Sequence, residues 1–265
     1  MDFNFIKSLQ IQARARHAKI GIGLHSPSAD LINRLQAATE YADLLLVGDL
    51  SCNCALEYVS TDDPASKLVE LLHSGNIDGA VRGNLSAYQA INALSKRFNI
   101  KVRRMALFEL NDWAFFLAPV GINEGETLSD RLNLVMNGAE YLQMMGISPA
   151  ISVLSGGRLE DVGRSERVDK SLAEAEFVVS RACANGINAR HRGILIESCK
   201  GDDLIIAPDG ISGNLIFRSL MLLCRVDSFG APVLMDKIFV DSSRARNDFI
   251  GPVILASALV GLKDR

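Results

Sequence analysis

The stretch "KIGIGLHSPSADLINRLQAA", residues 19–38, passes from a strand to a helix and decides how the rest of the chain is read. "KIGIGL" (19–24) has no charged residue after Lys19, the composition of a strand buried on both faces. "SPSADLINRLQAA" then supplies a cap, a proline near the first turn, and apolar residues at helical spacing. The same alternation returns downstream. "ADLLLVGD" (42–49) reads as a strand, "PASKLVELLHSG" (64–75) as a helix closed by glycine, "IDGAVRGN" (77–84) as a strand and "SAYQAINALSKRF" (86–98) as a helix. Strands alternating with helices imply βα units around a largely parallel sheet.

After residue 100 the rhythm changes. "VRRMALFEL" and "WAFFLAPV" (113–120) read as paired strands joined at "NDW", which marks the start of a second lobe. Beyond them the pattern predicts a helix over 127–146, a strand over 150–155, a helix around 168–185, and strands at 193–198 and 203–210. A helix over 212–224, a strand over 232–240 and a last helix, "DFIGPVILASALVGL", complete the chain. The expectation is an α/β protein of two lobes with largely parallel sheets. The first lobe comprises 1–100 with 241–265, and the second comprises 101–240.

With 265 residues, 48% of them hydrophobic, there is material for a large core in one domain or two. A formal charge of −3 with dispersed Lys and Arg lacks the basic stripe that nucleic acid or anionic lipid requires. The N-terminal segment has no signal-peptide apolar block, and no apolar run is long enough to span a bilayer. A cytoplasmic protein is expected. Five cysteines, Cys52, Cys54, Cys183, Cys199 and Cys224, are an odd number and read as reduced thiols. "SCNC" (51–54) has no second CxxC or HxxxH to complete a metal site, so no metal is expected. Of His17, His25, His73 and His191, only His25, directly after a strand, is a candidate for chemistry.

Chemistry is expected in the loops that follow strands, where helix N-termini favour anions. Four such loops combine small residues with cations or a helix start. "RGNLS" holds Arg82, Gly83, Asn84 and Ser86, and "SGGRLEDVGR" opens with Ser155, Gly156, Gly157 and Arg158. "PDGISGN" holds Asp209, Gly210, Gly213 and Asn214 in the manner of a phosphate cradle, and "DSSRAR" (241–246) is the fourth. Each alone reads equally as a turn, and Asp241, Ser242 or Ser243 could simply cap the last helix. Together they suggest a site for a phosphate-like group. Neither GxxxxGK[ST] nor a GxGxxG after the first strand is present, so ATP hydrolysis and Rossmann-type NAD binding are not expected.

In order and spacing, "NIDGAVRGNLSA", "GETLSDRLNLVMNGAEYLQMMGISPAISVLS", "DDLIIAPDGISGNLIFRSL" and "VDSSRARNDFIGPVILASAL" resemble the phosphate acetyl/butyryltransferase superfamily from about residue 77 onward. "GRSERVDKSLAEAEFVVSRA" is similar to its MtxX, or methanogenesis-marker, branch in methanogenic archaea, labelled as a methyltransferase subunit. The resemblance implies an isocitrate/isopropylmalate dehydrogenase-like, phosphotransacetylase-like fold with a central cleft, and a homodimer. It implies transfer of an acyl group between phosphate and a thiol such as coenzyme A, with coenzyme A or inorganic phosphate as substrates. Ser243 and Arg244 match the family's Ser-Arg pair at the acyl carbonyl and phosphate, and Asp248 the base that takes the thiol proton. Arg82 is the candidate second phosphate clamp. The alternative is a subunit of a methyltransferase complex, although no glycine loop for S-adenosylmethionine follows the first strand and no corrinoid-type DxHxxG occurs.

Overall fold

A computed structural model describes residues 1, 4–49, 55–243 and 248–263. Along the chain run α1 (Asn4–Arg16), β1 (Lys19–Leu24), α2 (Ala29–Gln36), β2 (Asp43–Gly48), β3 (Glu57–Ser60), α3 (Pro64–Ser74), β4 (Gly79–Val81) and α4 (Ala87–Phe98). Then come β5 (Ala106–Leu110), β6 (Trp113–Ala118), α5 (Leu128–Met144), β7 (Ala150–Leu154), α6 (Glu166–Ala184), β8 (Asn188–Gly193) and β9 (Leu204–Ile206). Last are α7 (Gly210–Arg218), β10 (Asp227–Pro232), β11 (Ile238–Asp241) and α8 (Ile250–Lys263). The chain divides into two compact units, Ile6–Val102 with Phe229–Arg265, and Met1–Phe5 with Arg103–Ser228.

In the first of these units the strand order is β3-β2-β1-β4-β11-β10, parallel throughout except for β10, which runs antiparallel to β11. The apolar runs of β1 and β2 are buried from their second residue on, as a strand covered on both faces must be. A core of Leu45, Val47, Leu68, Leu72, Leu94 and Phe239 joins the sheet to α3 and α4. Ser28, Asp63 and Ser86 each accept a backbone N–H at the start of α2, α3 and α4, which is why these helices begin where a small polar residue meets an apolar run. α8 packs on β11, β4 and β1, and Val253–Val260 are all buried, so the sequence of this stretch, apolar but for Ser257, reflects enclosure on every side.

In the other unit the order is β5-β6-β9-β7-β8, with β5 and β6 forming an antiparallel hairpin and the remaining pairs parallel. α5 packs on β9 and α6 on β7 and β8. Among the described residues no helix is long and apolar enough to cross a membrane.

Several elements depart from the pattern read in the sequence. "GILIES" (193–198) is not a strand: Ile194 and Ile196 face solvent, and Ile196–Cys199 form a 3-10 turn. The strand is the preceding "NARHRG", whose charges suit its place at the sheet edge, where β8 pairs with β7 alone. The single strand expected over 232–240 is the turn and second half of the β10–β11 hairpin, and this hairpin belongs with the β1–β4 sheet from Phe229 onward. α1 and β3 were not anticipated. β3 is a short, mostly exposed edge strand, so it carries little apolar signal.

At the start of α7, the space beside Gly213 is filled by the carbonyl of Pro119 and that beside Gly210 by the carbonyls of Gly121 and Glu124. A methyl group at 213 has no room. Gly213→Ala is expected to lower unfolding free energy by about 1–3 kcal/mol in urea titration, the range for overpacking a rigid contact.

Candidate functional site

The first group of sequence-predicted residues comes together where β4 and β11 end. Arg82 is 4% exposed and Asp241 7%, and they form a buried ion pair through Nε and Oδ1. The Arg82 Nη1 also donates to the Leu85 carbonyl at 2.5 Å, and Asp241 Oδ1 accepts the Ser242 backbone N–H at 2.9 Å. The Ser242 hydroxyl donates to the Gly83 carbonyl at 2.9 Å. Gly83 itself has φ 65° and presses on the Gly23 carbonyl, so any side chain there meets backbone. Asn84 exchanges two hydrogen bonds with the backbone of His25, at 2.6 and 2.9 Å. The ends of β1, β4 and β11 are thereby laced into one rigid edge.

These contacts involve three residues singled out in the sequence, Arg82, Asp241 and Ser242. Arg82, the expected phosphate clamp, is buried and holds a carboxylate and a carbonyl. Asp241 Oδ1 and the Ser242 hydroxyl, read in the sequence as possible caps of the last helix, are directed to Arg82 and Gly83. Asp248 accepts the Ile250 N–H at 3.2 Å, the role of an acid at a helix start. Ser243 follows directly on this edge and is half-buried, whereas Arg244 lies outside the described residues, as do Cys52 and Cys54.

Beside this edge, between α3 and α4, lies a pocket of about 790 Å³. His25, Asn84 and Ser86 line one end of it, so Asn84 touches both the pocket and the β4–β11 edge. The Ser66 hydroxyl and backbone N–H donate to Asp63 and hold its carboxyl below the usual carboxylate range.

The remaining predicted residues belong to the other unit. Ser155, at the end of β7, is buried; its hydroxyl donates to the Gly157 carbonyl at 2.9 Å and lies 2.8 Å from His191 Nε2. His191 Nδ1 in turn meets Glu176 at 2.6 Å. Gly156 donates to the Ser171 hydroxyl and the Arg158 backbone to Asp161. That N–H, with help from Arg164, keeps the Asp161 carboxyl low. Asp209 caps α7 through the Ser212 N–H at 2.8 Å, Asn214 donates to the Val120 carbonyl at 2.8 Å, and Gly210 and Gly213 admit the 119–124 loop. The expected phosphate cradle thus lies against the 119–124 loop. His191, not a candidate in the sequence, stands between a serine and a glutamate.

No protein-family model matches the chain. Curated relatives named "Putative methyltransferase mtx subunit X" are 43% identical in Methanosarcina mazei, over 97% of this chain and 95% of the relative, and 45% identical in Methanosarcina barkeri, over 94% and 96%. The chain belongs to the mtx subunit X family. An "Uncharacterized methyltransferase" of Methanocaldococcus jannaschii is 39% identical over 72% of this chain and 82% of its own length. Among solved structures, a branched-chain phosphotransacylase from Enterococcus faecalis superposes with a TM-score of 0.74 at 16% identity, covering 92% of this chain and 99% of that one. A phosphotransacetylase from Streptococcus pyogenes gives 0.70 at 16% identity, covering 98% of each chain. The chain therefore has the phosphotransacetylase fold.

Removing one partner of a buried ion pair leaves the other uncompensated. Arg82→Met is expected to cost about 3–5 kcal/mol in urea titration, with much of the loss recovered in the Arg82→Met/Asp241→Leu double variant. Asp63→Ala is expected to cost about 1 kcal/mol at neutral pH as a lost cap. Because the folded-state value is depressed, that difference is fully present above the ordinary carboxylate value of about 3.9 and fades as pH falls through the lower folded value.

Proposed function

We propose that the chain is a phosphotransacetylase-like transferase, moving an acyl group between phosphate and a thiol such as coenzyme A. The observation that carries this reading is the laced edge of β4 and β11. That network fixes Asp241 and Ser242, and Ser243 follows them on the way to α8. Strand ends of this kind are where α/β sheets bind ligands, and the proteins named as phosphotransacylases share the fold.

In this mechanism the thiol gives its proton to the Asp248 carboxylate, and the thiolate sulfur attacks the acyl carbonyl carbon of an acyl phosphate. The carbonyl electron pair moves onto oxygen, where the Ser243 hydroxyl and the Arg244 guanidinium meet the developing charge. The pair then reforms the carbonyl as the carbon–oxygen bond to phosphate breaks, and phosphate leaves on Arg244. Arg82 acts indirectly, by holding Asp241 and with it the strand end that carries Ser243. Asp248, whose Oδ1 accepts the Ile250 N–H at the start of α8, is the base in this reading.

A second reading, a subunit of a methyltransferase complex, is favoured by the names of the relatives at 43% and 45% identity. Under that reading the chain copurifies with corrinoid methyltransferase components and transfers no acyl group.

The experiment is an acyl-exchange assay with a panel of acyl phosphates and coenzyme A. Ser243→Ala is expected to lower kcat/KM by about 100-fold or more, as for loss of a donor to a developing oxyanion, with an unchanged melting temperature. Wild-type turnover that survives in Ser243→Ala and in Arg244→Ala overturns the acyl-transfer reading.

A further inference from the structure

The pocket between α3 and α4 takes no part in the chemistry above, yet it adjoins that chemistry through Asn84. One of its walls is a single stripe of α4. Gln89, Asn92 and Lys96 are spaced by three and four residues, fall on one helix face, and all line the pocket. Ala93, within the same stripe, leaves space between the longer side chains. Tyr88 stands at the first turn and is 78% exposed, the most exposed aromatic side chain among the described residues. On the opposite wall, Asp62 and the capping residue Asp63 precede α3.

This set of groups is specific in kind. An aromatic face left in water offers a platform for a planar base. Carboxamides such as those of Gln89 and Asn92 match the paired donor and acceptor on the edge of adenine. An acid beside them suits ribose hydroxyls, as in other nucleotide sites of α/β proteins, and a lysine further along the helix suits phosphate. The Asn84 carboxamide is committed to the His25 backbone, so it is a fixed part of the lining, and it directly follows Gly83, whose carbonyl accepts the Ser242 hydroxyl. A volume of about 790 Å³ is in the range of sites that enclose a cofactor-sized molecule.

We propose that this pocket receives the adenosine part of a nucleotide-bearing co-substrate, whose reactive end extends toward Ser243. The inference deepens the acyl-transfer reading and rests on it for the direction of the ligand. The adenosine group itself is common to two sources, the nucleotide tail of a coenzyme A-type thiol and S-adenosylmethionine. Tyr88 stacks on the base, Gln89 and Asn92 read its edge, Asp62 meets the ribose, and Lys96 meets the phosphate when the source is the thiol.

The test is titration calorimetry of the full chain with adenosine 5′-monophosphate as probe and uridine 5′-monophosphate as control. Saturable binding of the adenine nucleotide is expected, at least about tenfold tighter than that of the uridine nucleotide. Tyr88→Ala is expected to weaken it about tenfold or more without lowering the melting temperature, because the ring is exposed. Absence of binding at millimolar probe, or unchanged binding in both Tyr88→Ala and Asn92→Ala, overturns the proposal. Competition names the source: displacement by coenzyme A assigns the pocket to the thiol, displacement by S-adenosylmethionine assigns it to that molecule, and displacement by neither overturns it. The two readings fail separately. Probe binding with no acyl exchange removes the acyl-transfer reading and leaves the pocket assignment standing, while acyl exchange without probe binding does the reverse.

Discussion

The buried ion pair between Arg82 and Asp241 is the constraint on which the candidate site depends. Two charges taken out of water are tolerated only when each has further hydrogen bonds, and here both do: the guanidinium reaches the Leu85 carbonyl and the carboxylate accepts the Ser242 N–H. The pair joins two strand ends separated by more than half the chain. Through Ser242 and Gly83 it extends to the backbone, and through Gly83 to the Gly23 carbonyl of β1. A loop that must hold a reactive group benefits from such an anchor, because side chains on a fixed edge lose less freedom when a ligand arrives.

Small residues in the loops serve two distinct purposes. At Gly83 the backbone takes a left-handed conformation against a neighbouring strand, at the rim of the candidate site. At Gly210 and Gly213 the same residue type only lets one loop lie against another. Sequence presents both as glycine after a strand. What separates them is which atoms occupy the missing side chain's space, and those atoms come from residues about ninety positions away or from a different strand.

The kinship with mtx subunit X proteins and the fold shared with phosphotransacylases bear on different questions. Identity above 40% over nearly the whole chain concerns descent, and a TM-score of 0.74 at 16% identity concerns architecture. An adenosine-binding pocket would be compatible with either label, since coenzyme A and S-adenosylmethionine share that group. The chemistry at its reactive end is what distinguishes them.

From the sequence alone, the βα rhythm of 19–98, the hairpin after residue 100, the cap of α2 and the glycine that closes α3 were legible. Each rests on neighbours within one or two turns: apolar spacing, a capping side chain, a turn. The polar edge strand "NARHRG" was not, because an edge strand needs no apolar alternation, and the exposed isoleucines that follow it imitated one. Nor was the role of Arg82, which the sequence shows only as a cation after a strand. Its burial and its pairing with Asp241 exist because parallel strands β4 and β11 lie side by side. The stripe of Gln89, Asn92 and Lys96 was present in the letters as an ordinary polar helix face. Only the packing of α3 beside α4 turned that face toward a shared pocket, since a pocket is a property of elements brought together and not of any one segment.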